Sequence, residues 1–186
     1  MLFRSAFANF EATLARFTKE GFGMTDDDNF LVFAAIGGML MLAGGLYRPL
    51  AKRLPEVRLL AVGLAILILG LAGIGLVSWL VHCDAVAGLA VADRLRWMFY
   101  ASAAAAVAGF AFVNPSVSAL ISKRADPARQ GEVLGVNQSF ASLGRILGPF
   151  AGSMLFAMHP SRTLPYAVAV VTLCFVATLV PRISRR

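Results

Sequence analysis

Residues 130–158 read QGEVLGVNQSFASLGRILGPFAGSMLFAM. From Gly131 to Met158 the stretch is long enough to cross a bilayer, which takes roughly 20 residues. It is not uniformly greasy. Gly131, Gly135, Gln138, Ser142, Arg145, Pro149 and Gly152 follow in steps of 4, 3, 4, 3, 4 and 3, which is one face of an α-helix. That face is small and polar with one full positive charge. The opposite face is Val, Leu, Phe and Ile. Such a helix does not sit alone in lipid; it calls for a neighbour that packs on the glycines and satisfies Arg145.

The rest of the composition agrees with a membrane setting. Of 186 residues, 59% are hydrophobic and 15% charged, against about 25% charged in an ordinary soluble domain. The mean hydropathy is +0.75. The net charge of +7 does not mark a nucleic-acid binder, because the basic residues sit in short loops between apolar runs. No nucleic-acid partner is expected; the expected surroundings are the lipid bilayer. Cys83 and Cys174 belong to no CxxC or Cys/His spacing, so neither a disulfide framework nor a zinc site is expected. No cofactor is implied. The first residues carry Arg4, Glu11 and Arg16 and lack the continuous apolar core of a signal peptide.

Six segments follow along the chain, giving an all-α bundle of about six transmembrane helices over residues 1–186. Residues 2–18 are helical in pattern and short for a span. Two readings stand open: a span whose beginning is missing, or an amphipathic surface helix with Arg4 and Arg16 at the headgroups. Gly21–Asn29 is a turn-rich loop whose Asp26, Asp27 and Asp28 suit a helix N-terminus better than a cation site. Residues 30–47 carry Gly37, Gly38, Gly44 and Gly45 and read as a close-packing helix. Residues 59–81 have no ionisable group and read as an outer, lipid-facing helix. Val81–Arg96 reads as a polar connection; its adjacent His82, Cys83 and Asp84 do not converge on one ion. Residues 97–121 contain Asn114-Pro115, where proline removes a hydrogen bond to Ala111 and should kink the helix. Residues 163–180 carry no charge and are bracketed by Pro165 and Pro181.

With six spans, Arg48, Lys52, Arg53, Arg58, Lys123, Arg124, Arg129, Arg182, Arg185 and Arg186 fall on one side. Arg16, Lys19, Arg94, Arg96 and Arg162 fall on the other. The two-fold bias puts both termini in the cytoplasm of a cell-membrane protein.

Gly135, Gly144, Gly148-Pro149 and Gly152 stand at spacings that resemble the antiporter motif of major facilitator superfamily transporters. Ser153 replaces the motif's last glycine. Arg145, one residue after Gly144, also resembles members of that motif. The loop LAKRLPEVRLL is similar to the superfamily's short basic loop in degraded form, with Lys52, Pro55 and Glu56 at its Asp, Gly and Arg positions. The resemblance implies half of a fold built from two pseudo-symmetric six-helix halves, and favours the C-terminal half with a clipped first helix; a complete member has roughly twice this length. It implies a second six-helix half as partner: a separate chain, a missing N-terminal half, or a second copy.

The function expected is transport of an unidentified small molecule by alternating access, proton-coupled and antiporter-like. The alternative is a non-transporting interaction module or remnant that needs a partner half. An intramembrane enzyme is not expected: no Ser/His/Asp set, HExxH or paired carboxylates occur within spans. Arg145 reads either as a binder of substrate anions and tuner of a carboxylate, or as a structural donor to helix carbonyls. Glu11, the acidic residue inside a span, is a candidate proton carrier, or else a residue at the membrane edge. Gln138 and Asn137 are candidates for lining a polar cavity, and Asn114 either joins them or only satisfies the proline break. Gly135, Gly144, Gly148, Pro149 and Gly152 read as a packing and rocking surface toward the absent half.

Overall fold

The structure is a computed structural model that describes residues 1–87 and 92–184. Six long helices make up the described chain: α1 (Leu2–Phe22), α2 (Asp26–Ala51), α3 (Glu56–Ala87), α4 (Ala92–Arg124), α5 (Gln130–Met158) and α6 (Leu164–Ser184). A single 3-10 turn, Pro127–Arg129, leads into α5. No strand occurs among the described residues. The helices overrun the apolar segments at both ends. α3 carries His82, Cys83 and Asp84 on its last turns instead of in a loop, and α4 and α6 continue through Pro115 and Pro181. The middle of the polar connection, residues 88–91, and residues 185–186 of the basic tail lie outside the described residues.

The turn between α1 and α2 follows from local chemistry. Gly23 closes α1 in the left-handed region at φ 63°, which costs glycine little, and its N–H returns to the Lys19 carbonyl. Thr25 then opens α2: its hydroxyl accepts from the Asp28 N–H while the Asp28 carboxylate accepts from the Thr25 N–H. Asp26, Asp27 and Asp28 occupy the first turn, where the helix dipole favours negative charge.

α1 is the hub of the bundle, the helix that touches all five of the others. Phe3, Phe7, Phe10, Leu14 and Phe17, at steps of 4, 3, 4 and 3, are all buried. Phe7 stacks on Phe110 of α4, with ring centroids 3.8 Å apart. Phe17 meets Phe99 at 5.4 Å and Tyr166 of α6 at 6.2 Å. The surface-helix reading is therefore corrected: α1 lies inside the bundle, and Arg4 is 6% exposed, not at a headgroup. Among the described residues five helices, α2 to α6, are long and apolar enough to cross a membrane. α1 falls short on composition because its polar residues turn inward. Asn9, Thr13 and Thr18 are buried, as Arg4 is. The Asn9 amide donates to the Pro165 carbonyl at 2.9 Å, the Thr13 hydroxyl lies 3.3 Å from that of Tyr166, and the Thr18 hydroxyl bonds to Asn29.

Two further expectations are corrected. The glycines of α2 pack on nothing within this chain: a Cβ added at Gly37, Gly38, Gly44 or Gly45 would meet nothing within 4 Å. Close packing falls instead between α3 and α4. A Cβ at Gly70 would fall on the Ala106 backbone, one at Gly73 on Ser102, and one at Gly63 within 2.8 Å of the Phe112 Cβ. Small residues let these backbones approach, which is how membrane helices gain packing energy without a hydrophobic driving force. At one end of this pair Lys123 bridges to Glu56. α3 is accordingly not simply lipid-facing. Leu60, Leu64, Leu67, Leu71, Ile74 and Val77 are buried, while Val62, Leu69, Leu76 and Trp79 are exposed. A helix that is apolar all round serves both environments.

Candidate functional site

α5 lies parallel to α1. Gly144 sits beside Met1, Gly148 beside Ser5 and Gly152 beside Asn9, as the atoms nearest to an added Cβ show. Parallel helices with a constant offset meet in this way every fourth residue, one turn at a time. The glycine row thus packs inside the chain, on α1, and the expectation that it faces an absent half is corrected for Gly144, Gly148 and Gly152. Pro149 is half-buried beside this row. Gly131 and Gly135 meet nothing within 4 Å. The polar face read from the sequence is therefore split. Its Gly152 grips α1 alongside Gly144 and Gly148 of the neighbouring row, while Gly131, Gly135, Gln138, Ser142 and Arg145 remain exposed.

This grip sets the depth of Arg4, one turn from Met1 on the face that meets α4 and α5. The Arg4 Nε–H donates to Asn114 Oδ1 at 3.0 Å, and Nη1 reaches Gln138 Oε1 at 3.5 Å. Its guanidinium also lies 5.5 Å from the centroid of Phe3, within cation–π range. Three helices thus meet at one cation. Gln138 is about 12 Å along the axis from the start of α5, and Asn114 and Gln138 both lie inside membrane-crossing helices, so the cluster is at the depth of those spans although Arg4 is on the first turn of α1. A guanidinium there costs about 2.5–3.5 kcal/mol or more if left unpaired, and amide oxygens offset part of that.

Of the five polar candidates, the structure joins Asn114 and Gln138 through Arg4. Asn137 is half-buried on the same turn of α5. Arg145 is exposed and forms no hydrogen bond or ion pair among the described residues; its charge is near enough to act on both Arg4 and Glu11. Glu11 is two turns from Arg4 and is neither hydrogen-bonded nor ion-paired among the described residues. Arg4 itself is not among the candidates that the sequence offers. The signal for it was the buried phenylalanine heptad of α1, which makes the helix central and so places its single early cation inside.

A cavity of about 330 Å³ opens between α2 and α4 beside this cluster, lined by Asn114, Pro115, Tyr47, Arg48, Gly44 and Phe110 among others. A larger one, about 550 Å³, lies at the end of the bundle between α3, α4 and the start of α5. It shares no residue with the Arg4 cluster.

The sequence pattern that describes the Major Facilitator Superfamily matches residues 85–186, more than half of the chain. The chain belongs to the major facilitator superfamily. With five membrane-crossing helices by length and composition, it is an integral membrane protein of a transporter superfamily. No curated protein and no solved structure matches it. In this superfamily chain the match runs through α4, α5 and α6, and so includes Asn114, Gln138 and Arg145.

Proposed function

We propose that the chain is one half of a secondary transporter. Joined to a second six-helix half, it moves a small molecule across the cell membrane by alternating access, coupled to protons in an antiporter-like cycle. Both termini face the cytoplasm in this reading. The observation that carries it is the buried Arg4, held at membrane depth by neutral amides from two other helices. An ionisable residue placed there marks a substrate or ion pathway.

The division of labour follows from the packing. The Gly144, Gly148 and Gly152 row locks α5 to α1, so these two helices rock as one body. The exposed glycines of α2 and the exposed α5 positions Gly131 and Gly135 are left for the second half. Arg4, Asn114, Gln138 and Asn137 form the substrate region. Glu11 carries the proton and Arg145, near it in charge, tunes its release.

The test is gradient-driven uptake or efflux in vesicles holding this chain together with its other half. Transport should fall when Arg145 and Glu11 are both replaced by alanine; unchanged transport would remove their roles. No transport by the assembled pair would favour the alternative, a non-transporting interaction module.

A further inference from the structure

We propose that the species held at the Arg4 cluster is an anion, a small carboxylate or phosphate. This rests on the reading of that cluster as the substrate site and adds its chemical class. A guanidinium has five N–H donors and no acceptor. Both amides beside Arg4 must therefore turn their oxygens to it, and that is how Asn114 Oδ1 and Gln138 Oε1 stand. The consequence is chemical, not conformational: each amide oxygen already accepts from Arg4, and both NH₂ groups are left as donors. The NH₂ groups of Asn114 and Gln138 donate no hydrogen bond among the described residues. Arg145 has no bonded partner among them, and Arg48 lines the cavity that Asn114 also lines.

Charge points the same way. The ion pairs among the described residues involve Arg16, Lys19, Lys123, Arg129 and Arg162, all toward the helix ends; neither Arg4, Arg48 nor Arg145 is in one. The nearest acid on α1, Glu11, is two turns from Arg4; it feels the charge of Arg145 but is ion-paired with neither. A site that offers N–H donors and unpaired arginines selects a ligand that accepts hydrogen bonds and carries negative charge, and such bonds are about twice as strong as neutral ones. A cation or an apolar solute would leave the donors unmet.

The experiment uses the full chain in phosphatidylcholine nanodiscs, with unfolding followed by intrinsic tryptophan fluorescence. The ligands are inorganic phosphate and succinate, each against chloride at matched ionic strength. Phosphate or succinate should raise the melting temperature, and the fitted affinity should weaken at least about tenfold in Arg4→Gln. Because Arg4→Gln also disturbs packing, Asn114→Asp is the decisive variant. It places a carboxylate beside Arg4 and should fold at least as stably as the natural chain, yet lose the anion response. An anion response kept in Asn114→Asp, or absent from the natural chain, overturns the proposal. Discs containing phosphatidylglycerol separate the sources: if that lipid stabilises the chain and blocks phosphate, the ligand is a headgroup and the small-anion assignment fails. Anion binding without transport by the assembled pair upholds this inference and defeats the transport reading. Transport of a cation without anion binding does the reverse.

Discussion

Gly152→Ala puts the smallest side chain into the tightest helix contact of the site. The added Cβ would land on the Asn9 side chain, at Oδ1 and at 2.7 Å from Cγ, with the Asn9 backbone Cα 3.2 Å away. The Asn9 amide cannot simply yield, because its Nδ2–H holds the Pro165 carbonyl of α6 at 2.9 Å in a buried setting. Displacing it leaves buried polar groups unsatisfied, worth about 1–3 kcal/mol. Overpacking adds about 1–3 kcal/mol, for a total of roughly 2–6 kcal/mol. Asn9→Ala alone removes that hydrogen bond and should cost only about 1 kcal/mol. It also clears the space, so the double variant should be more stable than Gly152→Ala, with a coupling of at least about 1 kcal/mol. Reversible unfolding in mixed micelles, followed by helical circular dichroism, reads all four corners of the cycle. Gly152→Ala as stable as the natural chain, or strictly additive with Asn9→Ala, would refute the packing of α5 on α1 described above.

Gly70→Val should cost at least about 3 kcal/mol in the same assay, since its Cβ would fall on the Ala106 backbone and force α3 from α4. Gly38→Ala meets open space and should be neutral or stabilising by about 0.5–1 kcal/mol; the same change should impair assembly with a second half, read by co-purification. Glu20→Gln frees Arg162 of the α5–α6 turn, which Glu20 of α1 holds at 2.6 Å. Both side chains are part-exposed, so stability should fall by about 1 kcal/mol or less. Arg162 stands at φ 55°, an uncommon conformation for a side-chain-bearing residue, so protease cleavage at that turn should rise.

Much of the bundle is legible in the sequence for physical reasons that hold residue by residue. Apolar length marks α2 to α6, and Gly23 with the Thr25–Asp28 pair marks the break between α1 and α2. Asn114 and Gln138 stand out as polar groups at membrane depth. What is not legible is the partner of each face. A glycine that meets a neighbouring backbone, such as Gly70, and one that meets nothing, such as Gly38, are the same residue in a string. An all-apolar helix like α3 suits protein and lipid equally, so composition does not assign its faces. Arg4 escapes notice because charge near a chain start reads as interfacial. Only the register of α1 against α5, set by Gly144, Gly148 and Gly152, carries it to the middle of the bundle.

The central claim is that a polar pathway reaches Gln138 and Ser142 at membrane depth beside Arg4. It is tested most directly by single cysteines placed at 138, 142, 146 and 150 in a chain whose Cys83 and Cys174 are replaced by serine, held in sealed vesicles. A membrane-impermeant maleimide should label positions 138 and 142. It should spare 146 and 150, exposed apolar side chains that turn about 80° and 120° round α5 from Gln138. Position 138 as unreactive as position 150 would contradict the account.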